Sequence, residues 1–397
     1  MIKKLKSKAK KIIKRLIGNN KPSNNLPQIK PSSTVRPDKI LFHVSAFNYG
    51  NAGDALLPIA LQDSWKVIDD KIKWKNQLVY PTVDLKLIKE INESKGLIIG
   101  GGGLFLKDTN ANNHSGWQWP CSTEMLSRID VPIALFAVGY NRFRGQEDFE
   151  PVFKENIIAF AEKSVYLGLR NQGSINAIKS YLPNELHGKL YFQPCMTTYL
   201  SKIYKDQINF NKPKENFIAI NAAFDRSHLR FGENIGGILT SIAKVLKVLS
   251  KTHNIKVYSH MITDEAVVPF LQSYEVKYEL IRLSDQHPKK IIEEYIKPKL
   301  VIGMRGHAQM IPFGCGTPIL SIVSHNKMQW FLDDIGKPEW GVDVLNSNFE
   351  DELKLKATES LSNISERINY IEKKQEELYS LSLKNINEGI TAIRNHT

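Results

Sequence analysis

The chain has 397 residues, which is too long for one ordinary hydrophobic core, so we expect two domains. Its composition, with 42% hydrophobic and 24% charged residues and only 3 Cys, excludes collagen-like, disordered and disulfide-rich proteins. Of the net charge of +13, residues 1–39 carry +11, from ten Lys and two Arg against one acid, so the nearly neutral remainder argues against a nucleic-acid partner.

The first 17 residues predict a basic amphipathic helix. Apolar residues at spacings of three and four, from Ile2 to Ile17, fall on one helical face, and lysines occupy most of the rest. Such a helix is typical of attachment to an anionic membrane surface, where each basic residue contributes roughly 1 kcal/mol. The remainder of residues 1–38 is rich in Asn, Pro and Ser and predicts a tether. A solvated basic extension or a nucleic-acid arm is the alternative interpretation.

Residues 39–210 alternate between short apolar runs and amphipathic segments, which indicates a parallel sheet covered by helices on both faces. The predicted strands are Lys39–Ser45, Gln77–Tyr80, Gly96–Gly100, Pro132–Val138, Ser164–Leu169 and Lys189–Phe192. The predicted helices are Asp54–Lys66, Leu85–Ser94, Glu124–Ile129, Pro151–Glu162 and Gly173–Leu182.

The polar, turn-rich stretch Ser201–Glu215 predicts a boundary, and the alternation restarts in a second domain, residues 211–345. Its predicted strands are Phe217–Asn221, Lys256–Ser259, Tyr278–Leu283, Leu300–Gly303 and Pro318–Val323. Its predicted helices lie near Asn234–Ser250, Glu265–Ser273, Lys289–Ile296, His307–Phe313 and Met328–Ile335. The fold class is therefore α/β, with two doubly wound Rossmann-like domains facing a cleft and ligands at the carboxyl ends of the strands.

The last segment, residues 346–397, predicts one long helix. Between Asp351 and Arg394 apolar residues recur at spacings of three and four, with Glu and Lys between them. We expect this stripe to pack on the body of the same chain; a coiled-coil homodimer is the alternative.

The segment Asn51-Ala-Gly53-Asp54 follows the first predicted strand and leads into a helix. Free backbone N–H groups and the positive end of the helix dipole can hold an anionic ligand group there. Asn51 and Gly53 are therefore candidate binding residues, and Asp54 is a candidate for the chemistry. A tight turn in which Asp54 only caps the helix is the alternative.

Four consecutive glycines, from Gly100 to Gly103, follow another apolar strand. Glycine tolerates positive φ and lets a ligand approach the backbone closely. We therefore take Gly101, Gly102 and Gly103 as candidate binding residues in a loop after the strand.

Arg305, Gly306 and His307 follow the apolar strand that ends at Gly303. A guanidinium can bind a carboxylate or phosphate bidentately, and an imidazole can transfer a proton near neutral pH. Two such side chains at the end of a parallel strand predict a functional site, although a single histidine at a helix start is often a core residue.

Arg170, Arg226 and His260 also follow predicted strands and are further candidates for lining the cleft. A surface ion pair is the alternative interpretation for each of the three. The three cysteines are far apart without a C-x-x-C pair, so the sequence predicts no local metal site and fits a reducing compartment.

In order and spacing, these motifs resemble the polysaccharide pyruvyl transferase family over about residues 40–340. The motifs that carry the resemblance are Asn51–Asp54, the glycine run before Leu104, Arg170–Ser174, Met304–Ala308 and the following Gly-Thr-Pro. The resemblance implies a fold similar to that of two-domain (GT-B-like) glycosyltransferases. It also implies transfer of a pyruvyl group from phosphoenolpyruvate to a sugar of a surface polysaccharide, or of its lipid-linked precursor, as a cyclic ketal.

For this reaction our hypothesis is that His307 is the general acid, that Arg305 binds the carboxylate and phosphate of the donor with help from Arg170, and that Asp54 is a base or orients a hydroxyl. Gly306, where the family often has a bulky apolar residue, is a further candidate binding residue. No cofactor is expected beyond phosphoenolpyruvate as donor substrate. The expected location is cytoplasmic, peripheral on the inner face of the membrane.

Two alternative functions remain open at this point. A nucleotide-sugar glycosyltransferase would have the same shape, but such enzymes often bind ribose with a carboxylate after the glycine–proline turn, and Ser321–Trp330 contains no acid. A non-catalytic, membrane-attached polysaccharide assembly protein is the second alternative.

Overall fold

The computed structural model describes residues 40–396. The basic amphipathic helix and tether predicted for residues 1–38 lie outside the described residues. Within residues 40–396, no helix is both long enough and apolar enough to cross a bilayer.

The first part of the described chain forms one parallel, six-stranded sheet. Its strands are β1 (Ile40–Ser45), β2 (Lys73–Leu78), β3 (Leu97–Phe105), β4 (Ile133–Tyr140), β5 (Ser164–Leu169) and β6 (Leu190–Phe192). The helices are α1 (Ala52–Ile68), α2 (Leu85–Asn92), α3 (Thr123–Ser127), α4 (Pro151–Lys163), α5 (Gln172–Lys179) and α6 (Leu200–Ile203). The strand order is β2-β1-β3-β4-β5-β6. The central strand β4 is buried along its whole length, as expected for a sheet covered on both faces.

The second part forms another parallel, six-stranded sheet. Its strands are β7 (Glu215–Asn221), β8 (Asn254–Ser259), β9 (Tyr278–Arg282), β10 (Pro298–Gly303), β11 (Ile319–Val323) and β12 (Gly341–Asp343). The helices are α7 (Ser227–Phe231), α8 (Ile235–Leu249), α9 (Val268–Ser273), α10 (Pro288–Ile296), α11 (Gly306–Gly314) and α12 (Asn326–Asp334). The strand order is β12-β11-β10-β7-β8-β9. The predicted fold class, two doubly wound α/β domains, is confirmed.

Two edge strands differ from the sequence prediction. Strand β2 begins at Lys73 rather than at the predicted Gln77. The prediction missed its first residues because the sequence Lys-Trp-Lys-Asn-Gln-Leu is mostly polar and partly exposed at the sheet edge. Strand β12 was not predicted, since it has only three residues. Neither edge shows the apolar run on which strand prediction depends.

The glycine run forms part of strand β3, and the prediction of a loop there was wrong. Gly100 pairs with Phe136 and Gly102 with Val138 of β4. A Cβ at Gly100 would lie 1.9 Å from the carbonyl oxygen of Phe136, and Gly100 has φ +147°. The glycine therefore allows a backbone approach in the sheet that no other residue permits.

The C-terminal segment forms two helices, α13 (Phe349–Ser362) and α14 (Ile364–Asn395), which meet at Asn363. The first turn of α14 lies on the second domain, where Arg367 Nη1 donates to the carbonyl of Ile319 at 2.9 Å. Further along, Asn385 Nδ2 donates to the carbonyl of Phe192 in the first domain at 2.8 Å. The apolar stripe is buried against the same chain, as the first interpretation expected.

Candidate active site

A cavity of about 220 Å³ lies where the carboxyl ends of the two sheets face each other. In the first sheet the strand order reverses between β1 and β3, and in the second between β7 and β10. Such switch points are where doubly wound sheets bind ligands. The cavity is lined by Ala46, Asn48, Asn51, Asp54, Tyr80, Gly103, Leu104, Leu106, Thr109, Gln118, Asn141, Phe143, Arg170, Asp225, Arg226, Arg230, His260, Met261, Arg305, Gly306, His307 and Lys327.

The loop after β1 positions Asp54 at the start of α1. Asn51 is the N-cap, and its side-chain oxygen accepts from Gly53 N at 3.1 Å. Its Nδ2 donates to the carboxylate of Asp54 at 2.9 Å. Burial raises the pKa of Asp54 to about 6, against the opposing effect of Lys327 and Arg305. Asp54 therefore exchanges protons near neutral pH, as a general base or acid requires.

His307 lies in the first turn of α11, directly beside the N-terminus of α1. A Cβ at Gly53 would lie 2.1 Å from the His307 Nδ1, so only glycine leaves room for this ring position. The Nε2 atom lies 3.9 Å from the buried Sγ of Cys195. Burial, reinforced by Arg170 and His260, holds the pKa of His307 well below its usual value. The imidazole is therefore neutral near pH 7 when nothing anionic is bound.

Arg305, the N-cap residue of α11, is held by two carboxylates. Its Nε donates to Asp264 at 2.9 Å, and its Nη2 lies 2.8 Å from a carboxylate oxygen of Asp225. Despite burial, these two acids raise the pKa of Arg305 above its usual value. Asp264 also accepts from Asn221 at 2.9 Å and from the backbone N–H of His260 at 3.0 Å. Arg305 is thus part of a buried network that joins the ends of β7, β8 and β10.

Arg170 and Lys327 are two further basic residues of the cavity, and they lack the ion pairs with described carboxylates that hold Arg305. Neither takes part in an ion pair with a described residue, and the Nε of Arg170 is buried without a hydrogen-bond partner among residues 40–396. The guanidinium lies against Gly139, where a Cβ would be 2.4 Å from Nη2. Burial, with Arg170 and Arg230 nearby, holds the pKa of Lys327 well below its usual value. Both side chains would be stabilised by a bound anion.

Two more cavity arginines come from the segment after β7. Arg226 forms a bidentate pair with Asp108 of the first domain, with both N···O distances at 2.6 Å. Arg230 donates to Ser324 at 2.9 Å and pairs with Asp225 at 3.2 Å. Arg226 therefore bridges the two domains across the cavity wall. It both lines the cavity and forms an ion pair, which was the alternative interpretation of this residue.

The structure brings most of the sequence-predicted site residues together. Asn51, Asp54, Gly103, Arg170, Arg226, His260, Arg305, Gly306 and His307 line the cavity. Gly53 lies against His307, whereas Gly101 and Gly102 do not line the cavity, because the strand carries them into the sheet. The Nε2 of His260 lies 2.5 Å from the hydroxyl of Tyr295, and burial lowers its pKa to about 4, so His260 is a neutral member of the wall.

The sequence interpretation missed Lys327 and Arg230. Lys327 follows β11 just as Arg305 follows β10, so its position at the carboxyl end of a parallel strand was the available signal. With both included, basic residues outnumber acidic ones in the described lining. The cavity is therefore suited to a small, multiply charged anion. Among residues 40–396, the groups of His, Cys, Asp and Glu contain no cluster that could hold a metal ion.

Comparison with known proteins identifies one family. The sequence model of the family "Polysaccharide pyruvyl transferase" matches residues 34–326. Comparison with curated protein sequences yields no match.

Solved structures share the two-domain, GT-B-like fold at low sequence identity. A putative UDP-N-acetylglucosamine 2-epimerase from Listeria monocytogenes superposes with a TM-score of 0.53 at 12% identity, over 84% of this chain and 90% of that one. S. aureus MnaA, solved with UDP, gives a TM-score of 0.52 at 13% identity, over 84% and 90% of the two chains. At this identity the likeness concerns the fold alone.

Proposed function

Because the chain belongs to the polysaccharide pyruvyl transferase family, we propose that it transfers the pyruvyl group of phosphoenolpyruvate to a sugar of a surface polysaccharide or of its lipid-linked precursor. The product is a cyclic ketal that bridges two hydroxyls of the sugar. The observation that carries this proposal is a small basic cavity in which Arg170 and Lys327, which form no ion pair with a described residue, lie with Asp54 and His307.

The charge of the cavity supports phosphoenolpyruvate as the donor. This molecule carries a carboxylate and a phosphate, and Arg170 and Lys327 are the cations with capacity left for them. The N-terminus of α1 at Asn51 adds the positive end of a helix dipole. Arg305 then acts mainly through Asp225 and Asp264, which it holds in place, rather than as the principal donor ligand.

The proton chemistry divides between His307 and Asp54. A bound anion raises the pKa of His307 from its low value and so favours the imidazolium when the donor is present. It gives its proton to the methylene carbon C3, and C2 becomes electrophilic. One sugar hydroxyl forms a C2–O bond as Asp54 takes its proton; the C2–O bond to phosphate then breaks, and the second hydroxyl forms the ketal. The proton of His307 ends on C3, the proton taken by Asp54 returns to His307 through solvent after the reaction, and the proton of the second hydroxyl leaves with phosphate.

The volume of the cavity fits a donor as small as phosphoenolpyruvate. Sites for drug-sized ligands occupy about 300–1,000 Å³, whereas this cavity has about 220 Å³. A nucleotide-sugar glycosyltransferase would also release a nucleoside diphosphate, which gives a direct test between the two reactions.

The test is product release by the purified protein with a lipid-linked oligosaccharide fraction as acceptor. We expect inorganic phosphate from phosphoenolpyruvate and no nucleoside diphosphate from nucleotide sugars. The variant His307→Gln is expected to lose about 10²–10⁴-fold in kcat, the usual contribution of a general acid, and to remain folded. Release of nucleoside diphosphate would favour the glycosyltransferase, and acceptor binding without any phosphate release would favour the non-catalytic assembly protein.

The predicted helix at residues 1–17 supports a location at the inner face of the membrane. Lipid-linked acceptors lie at that surface, so attachment would raise the rate of encounter between enzyme and acceptor.

A further inference from the structure

A second groove, of about 660 Å³, opens beside the first cavity, and Phe143 lines both. One wall comes from the first domain, from the segment 140–148 after β4 and from the end of α5. The other wall is Asn326 and Trp330 of α12 in the second domain. The groove therefore leads from the surface to the place where the donor would lie.

The charge of this groove differs from that of the cavity. Its charged lining residues are two bases and two acids, Arg142, Arg144, Glu147 and Asp148. Arg142 lies 3.6 Å from Asp148, and Arg144 pairs with Asp343 at 2.7 Å. A groove whose bases and acids balance, and whose two arginines are both in ion pairs, attracts an anion much less than the cavity does, so its chemistry suits a neutral ligand.

Aromatic side chains and polar groups are combined along this groove. Trp330 is half-buried, with its ring against the backbone of Gly173, where a Cβ would lie 2.0 Å from the ring. Tyr181 is also half-buried and donates its hydroxyl to Asp148. Rigid aromatic faces next to hydrogen-bonding groups are what the C–H face and the hydroxyls of a pyranose ring require.

Resting on the proposed function, we propose that this groove binds the acceptor glycan as a chain of neutral sugars, with Trp330 as the stacking platform. The sugar that receives the pyruvyl group lies at the Phe143 end, and the neighbouring sugars lie along Trp330 and Tyr181. The groove is thus a specificity site for the acceptor, separate from the donor cavity.

The experiment measures sugar binding and donor binding separately on the full chain. Saturation-transfer NMR titrates neutral methyl pyranosides and their disaccharides, with methyl glucuronide as the anionic probe, and calorimetry titrates phosphoenolpyruvate. Trp330→Ala removes the platform, and Trp330→Phe is the matched variant that keeps an aromatic face. Ser180→Tyr places a bulky side chain in the groove from an exposed position, whose hydroxyl donates to the nearby carbonyl of Ala177.

We expect the neutral disaccharides to bind the wild type and Trp330→Phe with similar affinity, and to bind Trp330→Ala and Ser180→Tyr about tenfold more weakly. Phosphoenolpyruvate affinity should stay within about twofold in all variants, since none of these positions lines the donor cavity. Unchanged sugar affinity in Trp330→Ala and Ser180→Tyr, a preference for the glucuronide, or no sugar binding to the wild type would each overturn the inference. If calorimetry detects no binding of phosphoenolpyruvate to the wild type, the proposed function is overturned instead.

Discussion

The backbone of Gly53 lies directly against the imidazole of His307, with room for no atom between them. A Cβ at position 53 would be 2.1 Å from Nδ1 and 2.6 Å from Cγ of the ring. The first turn of α1 and the first turn of α11 thus fix each other across the cleft. The glycine that the sequence indicated as part of an anion-binding loop has a second role, since it sets the position of the proposed acid.

Gly53→Ala tests this contact. The methyl group forces the ring of His307 to move, and a displacement of about 1 Å at a reacting group can lower the rate about 10²-fold. We expect kcat for phosphate release to fall by about that factor. Alanine is the better helix former, so the loss cannot come from helix propensity. Gly188→Ala is the matched control, because a Cβ there meets nothing within 4 Å. Equal losses in both variants would contradict the prediction.

Lys327→Met tests the role of the missed lysine. A hydrogen bond to a charged group contributes about 1.5–3 kcal/mol, so we expect the Kd for phosphoenolpyruvate to rise about 10- to 100-fold. The free energy of unfolding should not fall, because the variant removes a desolvated amino group that has no ion pair among the described residues. Calorimetry measures the Kd for phosphoenolpyruvate, and urea unfolding measures the free energy of unfolding. Lys384→Met, on the exposed face of α14, is the control. If the Kd of Lys327→Met is as low as that of this control, Lys327 is not a donor ligand.

Arg305→Met is expected to destabilise the protein rather than only to weaken binding. The substitution leaves Asp264 without its buried cation, and breaking a buried pair costs about 3–5 kcal/mol. Urea unfolding should show a loss of that size. The exposed pair of Arg128 and Glu124 gives the comparison, since Arg128→Met should cost at most about 0.5 kcal/mol. A stable Arg305→Met protein that fails to bind phosphoenolpyruvate would return Arg305 to the role of principal donor ligand.

Asp54 gives a pH dependence whose sign is fixed by its raised pKa. Folding shifts the pKa from 3.8 to about 6, so the native state binds the proton more tightly than the unfolded state does. Stability associated with Asp54 is therefore present below pH 3.8 and is lost as the pH rises towards 6. The stability of Asp54→Asn should not fall with rising pH in this way. Unfolding measurements across pH 4–7 on both proteins test this. Activity of the wild type should rise over the same range as the base ionises, and a flat profile would exclude Asp54 as the base.

Deletion of residues 1–38 tests the predicted membrane helix. This segment accounts for most of the net positive charge. We expect the shortened chain to leave the membrane fraction and to keep its activity on a soluble acceptor. Sedimentation assays on vesicles with and without anionic lipid provide the measurement. Continued sedimentation of the shortened chain with anionic vesicles would show that another surface binds them.

The sequence predicted the alternation of strands and helices because buried parallel strands are continuous apolar runs, as in β4 and β10. It placed Asp54, Arg170, Arg305 and His307 at strand ends, and the strand orders bring these ends together. It could not predict that Asp225 and Asp264 hold Arg305. These acids come from segments far away in sequence, and pairing between side chains depends on the relative position of strands that no local pattern specifies.

The glycine run illustrates a second limit. Four glycines after an apolar strand are equally compatible with a loop and with a strand that packs closely on its neighbour. The distinction depends on Phe136, whose carbonyl occupies the space a Cβ would need. The information therefore lies in the partner strand, outside the motif itself.

The path of α14 has a mechanical consequence. The chain passes from the first domain to the second between α6 and β7, and α14 returns from Ile319 to Phe192. The two domains are thus joined by two chain connections and by one continuous hydrophobic core, which contains residues of both sheets such as Phe136 and Ile319. Any opening of the cleft therefore requires separation of Arg226 from Asp108 and of Arg144 from Asp343.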